Sequence, residues 1–175
     1  MFPESSFWLI IGIAWFTALI PFFTEKSFVY VPWRQEGESK SRSAWLIAIR
    51  AFIQWALIIY AAVLLATSNS QGVQLAAFVG SLILFALPIF TVSKEVQIKV
   101  FAVRVFELLG FFFFVGGIGF AIENFYANPH RQEWQFYAIA LCLYIVLAYP
   151  GFVVRHLFRN RFNRRLIAQT QVADD

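Results

Sequence analysis

Residues 100–122 run VFAVRVFELLGFFFFVGGIGFAI, an apolar stretch interrupted by only two ionisable side chains, Arg104 and Glu107. A helix of ~20 residues crosses a hydrocarbon layer of ~30 Å, and this stretch is long enough. Strands of a membrane barrel would alternate apolar and polar residues, and no such alternation is present. A helix satisfies its own backbone hydrogen bonds in lipid, so the stretch is read as a transmembrane helix.

Four further segments of the same kind flank it. They are Phe7–Phe23 with Pro21 near its end, Ala44–Ala66, Val73–Thr91 with Pro88 near its end, and Trp134–Val154. The expected fold class is therefore all-α, a polytopic membrane protein of about five transmembrane helices. A re-entrant hairpin formed by the second and third segments is the alternative. The uncharged turn Ser68-Asn69-Ser70-Gln71-Gly72 favours two full spans instead. The chain divides into an N-terminal hairpin (1–72) with a cytoplasmic loop at 24–43, a three-helix unit (73–157), and a basic cytoplasmic tail (158–175). The leader before Phe7 carries Glu4 and no Lys or Arg, so the first segment is read as a retained helix rather than a cleaved signal.

Composition agrees. Of the 175 residues, 60% are hydrophobic and 14% charged, against about 25% charged in an ordinary soluble domain. The excess apolar surface must face lipid. The 22 Phe, 6 Trp and 6 Tyr suit lipid-facing helices and interfacial belts. The isoelectric point near 9.5 does not point to nucleic acid, because the basic residues border apolar segments and gather at the C-terminus. The lone Cys142 excludes an intramolecular disulfide and a cysteine-based zinc site. His130 and His156 stand apart from other ligating residues, so no metal is expected, and no haem, flavin or dinucleotide signature calls for a cofactor.

Five alternating spans with the N-terminus outside leave only Arg131, of the 14 Lys and Arg residues, on the outer side. The inner side receives the rest, as the positive-inside rule requires. The C-terminus is then cytoplasmic and the location the bacterial inner membrane. Residues 18–24 and 86–91 resemble one another, as do Ala48-Ile49-Arg50-Ala51-Phe52 and Ala102-Val103-Arg104-Val105-Phe106. Either a tandem repeat of helical hairpins or chance recurrence among a few apolar residue types accounts for this.

Three ionisable residues lie within the spans. Glu107 sits roughly 10 Å into its helix at 1.5 Å per residue, and charge at such depth is costly enough to mark a functional candidate. Arg104 lies one turn earlier, positioned for an i, i+3 pair with Glu107, and Arg50 lies at similar depth in the second span. Together they form a candidate polar cluster near the inner face. The competing reading is a structural ion pair with both arginines snorkelling to the phosphates. Gly116, Gly117 and Gly119 form a candidate packing face for a second helix. Pro150-Gly151 should kink the fifth span. Arg155, Arg159, Arg161, Arg164 and Arg165 mark a tail suited to an anionic leaflet.

Several of these elements resemble a family of short proteobacterial inner-membrane proteins of unknown function, over about residues 84–161. They are Leu87-Pro88, Arg104 to Leu109, Gly116 to Glu123, Trp134 to Ala138 and Ala148 to Val153. Members usually have about three spans and are often encoded near the respiratory NADH–quinone oxidoreductase. The resemblance implies an accessory or assembly role beside a respiratory complex and assigns no active residue. The first hairpin departs from the family pattern. The expectation is a non-enzymatic accessory subunit or assembly factor with a membrane-protein partner or a second copy. The alternative is a small transporter or ion conductor built on Arg50, Arg104 and Glu107.

Overall fold

The computed structural model describes residues 4–35, 43–92, 99–126 and 132–155. Within them the chain forms five helices: α1 (Glu4–Phe23), α2 (Ala44–Thr67), α3 (Gln71–Thr91), α4 (Phe101–Tyr126) and α5 (Trp134–Val153). Each is long and apolar enough to cross a membrane. Their bounds fall within a few residues of the expected segments. The largest extension is at α4, which continues to Tyr126, where Asn124 Nδ2 donates to the Ala66 carbonyl near the end of α2. That bond satisfies one of the carbonyls a helix C-terminus leaves open.

α4 is the centre of the bundle. It packs chiefly on α2 and α1, while α5 leans on α1 and α3 on α2. Close approach is set by glycine at two crossings. A Cβ on Gly117 would lie 3.2 Å from the Ala62 Cα and carbonyl oxygen of α2, and one on Gly151 would lie 3.1 Å from Leu19 and Phe22 of α1. Aromatic rings fill the space between α3 and α4. Phe85 stacks on Phe111 with centroids 4.7 Å apart, and Phe78 stacks on Phe114 at 5.7 Å. Lipid offers no hydrophobic drive to bring helices together, so such packing and interhelical hydrogen bonds hold the bundle. One such bond joins Thr17 Oγ1 of α1 to Tyr144 OH of α5 at 2.9 Å.

The segment after α1 departs from expectation. The loop 24–43 was expected to lie in the cytoplasm, yet its described part, 24–35, returns into the bundle as a strap. Ser27, Val29, Tyr30, Val31 and Gln35 are buried. Val29 Cγ1 lies 3.4 Å from where a Gly110 Cβ would sit. Gly110 is nine residues into α4, so the strap descends roughly 14 Å at 1.5 Å per residue. The apolar side chains of the strap are the cause, with Val29, Tyr30 and Val31 buried in succession. Phe28 meets Phe111 edge-on at 5.5 Å, and Trp33 meets Phe106, which in turn meets Trp55 of α2.

Pro150 and Gly151 do not end α5, which continues to Val153 before a wider π-type turn at Val154 and Arg155. Gly151 lets α5 approach α1, while Pro150 is exposed.

Candidate functional site: a strap held by buried charge

Non-helical backbone at membrane depth must have its N–H and C=O groups satisfied by protein. Three side chains, Glu107 and Arg104 of α4 and Gln54 of α2, do this for the strap and the end of α1. Glu107 is fully buried, and its Oε1 accepts from the Phe28 amide at 2.8 Å. Gln54 of α2 accepts from the Tyr30 amide through Oε1 at 2.6 Å. Its Nε2 donates to the Leu84 carbonyl at 2.7 Å and to the Phe28 carbonyl at 3.4 Å. The Leu84 carbonyl would bond the amide four residues on, but that residue is Pro88, which has none. One glutamine thus serves both the strap and the gap left by a proline. Tyr30 OH shares a 2.6 Å hydrogen bond with Thr91 Oγ1 at the end of α3.

Arg104, 2% exposed, closes the end of α1. Its Nη1 donates to the carbonyls of Pro21 at 2.8 Å and Phe22 at 3.2 Å, and its Nη2 to Glu25 Oε2 at 2.9 Å. A guanidinium at a helix C-terminus meets both the open carbonyls and the negative end of the dipole. Glu25 Oε1 pairs in turn with Arg155 at the end of α5. The three residues tie the ends of α1, α4 and α5 together.

The i, i+3 pair expected between Arg104 and Glu107 is replaced by a different one. Glu107 Oε2 pairs with Lys99 Nζ at 2.5 Å, and both side chains are fully buried. Lys99 lies just before α4, so its partner is eight residues away and outside any helical spacing rule. Burial pulls the Lys99 ammonium below its ordinary range, Glu107 opposes that, and Arg104 adds to it. Arg50 stands over the Tyr30 ring, its guanidinium carbon 4.1 Å from the centroid, so it too touches the strap. The structure therefore gathers Arg50, Arg104 and Glu107 around one segment but supplies each with its own partner.

Of the candidate packing glycines, Gly117 meets α2, whereas positions 116 and 119 have nothing within 4 Å of an added Cβ. Arg155, expected at the lipid surface, turns to Glu25. Arg159, Arg161, Arg164 and Arg165 lie outside the described residues, as do His130 and Arg131. Sequence reasoning missed Lys99, Glu25 and Gln54 as site residues. Gln54 carried a usable signal, since it is an amide side chain near the middle of an apolar segment, whereas Gln74 and Gln135 lie at the ends of theirs. Among the described residues, no His, Cys, Asp and Glu group is placed to hold a metal ion.

The helices and the buried ionic site together define a multi-pass helical membrane protein. Residues 73–159 match the family described as Protein of unknown function (DUF2818). The match covers most of α3 with α4 and α5, and so includes Lys99, Arg104 and Glu107 but not Glu25, Phe28 or Gln54. No curated protein and no solved structure matches the chain.

Proposed function

We propose that the protein is a non-enzymatic accessory subunit or assembly factor that docks laterally against a larger membrane complex. The observation that carries this is the face of α4 at Gly116 and Gly119. It has open space where a helix can approach, while the neighbouring outer half of α5, Glu133 to Ile139, is exposed throughout. Small residues admit a partner helix at short distance. The buried charges support the same reading, because they hold the fold. The resemblance makes a respiratory complex the first partner to test. In this reading the strap end is cytoplasmic, as its basic residues favour. The N-terminus is outside, the membrane is the bacterial inner membrane, and the tail arginines rest on anionic lipid.

The test is affinity purification of the tagged chain in mild detergent. Stoichiometric recovery of one defined complex is expected from the native chain. Gly116→Leu and Gly119→Leu should abolish it while leaving the chain's own melting unchanged, since a Cβ added at either position meets nothing within 4 Å. Recovery of the chain alone, or full retention of the complex by both variants, overturns the proposal.

A transport reading has one observation in its favour: a re-entrant segment held by the buried Lys99–Glu107 pair at membrane depth. Flux through proteoliposomes that Glu107→Gln abolishes, with the fold intact, would establish it in place of the first.

A further inference from the structure

At the end of the bundle opposite the ion pairs, α1 and α3 approach α4 from two sides and leave a groove of about 470 Å³, within the ~300–1,000 Å³ range of ligand sites. Its floor is apolar, formed by Leu65, Phe78, Ile118 and Ile122, and its rim carries Ser6, Gln71, Gln74 and Tyr126. Leu9 and Leu75 at its edge are exposed, so the groove is open to the bilayer. Water has no polar partner on such a floor. We infer that the groove seats one acyl chain of a zwitterionic aminophospholipid, with its ester and headgroup region against the polar rim.

Polarity and charge both support this occupant. The change from apolar floor to uncharged hydrogen-bonding rim follows the change from chain to glycerol ester along a phospholipid. Charged residues described at this end are acidic: Glu4 two residues before Ser6, Glu123 beside Ile122, and Glu133 at the start of α5. Basic pockets select anionic headgroups. By the same electrostatics, the acidic side chains around this end of the bundle attract the ammonium of an ethanolamine headgroup and disfavour a phosphatidylglycerol. The two ends of the bundle then differ in lipid preference.

The experiment places the full chain in nanodiscs of equal parts phosphatidylethanolamine and phosphatidylglycerol, extracts it gently, and counts retained lipids by native mass spectrometry. One phosphatidylethanolamine per chain is expected, retained about fivefold over phosphatidylglycerol, the scale of one interfacial charge. Ala121→Trp, which fills the groove, should remove that lipid, and Glu123→Gln should erase most of the headgroup preference. Equal or greater retention of phosphatidylglycerol by the native chain overturns the inference. So does unchanged retention in Ala121→Trp, or a photocrosslinker at Leu75 that captures protein, including a second copy, in place of lipid. Should Ala121→Trp fail to fold, the native ratio and the Glu123→Gln ratio decide the matter.

Discussion

Lys99→Met tests whether the buried pair is a structural anchor. In the native chain Lys99 Nζ and Glu107 Oε2 meet at 2.5 Å with neither side chain exposed. Removing the ammonium leaves a buried carboxylate without its cation, a defect that costs about 3–5 kcal/mol in a protein interior. Glu107→Gln leaves the ammonium stranded and should cost a similar amount, although the amide oxygen can still accept from Phe28 N. The double variant removes both charges and keeps that acceptor. Its remaining loss is the difference between a charged and a neutral hydrogen bond at Phe28, about 1 kcal/mol. The two single effects should therefore exceed the double by several kcal/mol, a coupling at or above the upper end for contacting residues. Equilibrium unfolding in mixed detergent–SDS micelles, followed by tryptophan fluorescence, measures all four chains, with Trp33 and Trp55 reporting on the strap and its surroundings. Additive single effects below about 1 kcal/mol each would refute the anchor, because an anchor's members cannot be lost independently.

Glu107→Gln also carries a pH signature. Losing Glu107 removes the group that opposes the burial of Lys99, so the folded-state pKa of Lys99 falls further below the ordinary 10.5. Between that lowered value and 10.5 the unfolded chain binds more protons than the folded one, so stability rises with pH. The native Lys99 is lowered less, so the deficit of Glu107→Gln should shrink as pH rises through the interval between the variant's Lys99 pKa and the native one, below 10.5. Gln54→Leu leaves the Tyr30 amide and the Leu84 carbonyl unpaired and should lose about 2–4 kcal/mol in the same unfolding assay. It should also speed exchange of the Tyr30 amide, read by hydrogen–deuterium exchange. Gly117→Ala drives a Cβ to 3.2 Å from α2 backbone and should cost about 1–3 kcal/mol, whereas Gly116→Ala should be neutral or slightly stabilising, by less than about 1 kcal/mol; a reversed order would contradict the packing.

The five spans were legible because lipid imposes length and polarity on each segment, and α1 to α5 differ from the sequence segments by no more than a few residues. The depth of Arg104 and Glu107 was legible for the same reason. Their partners were not. Helical spacing relates only residues on one helix, and Lys99 and Glu25 both lie outside the helices they serve. The strap was hidden because Thr24 to Gln35 is polar enough to pass for a surface loop. Its apolar members, Phe28, Val29, Val31 and Trp33, only make sense once Gln54 and Glu107 are there to receive its backbone. Gln54 and Pro88 each showed a local irregularity, but nothing in the order of residues says that the amide of one meets the carbonyl freed by the other.

The strap also constrains how the protein can be made. Phe28 and its acceptor Glu107 are 79 positions apart, and Glu25 receives Arg104 at the same separation and then Arg155 at the far end of α5. A ribosome feeding the chain into the bilayer delivers the early segment well before any of these groups exist. Until the fourth helix emerges, Ser27 to Val31 has to wait at the aqueous boundary, so the first two helices enter the membrane as an unfinished pair and the inward fold of the strap is among the last events of biogenesis.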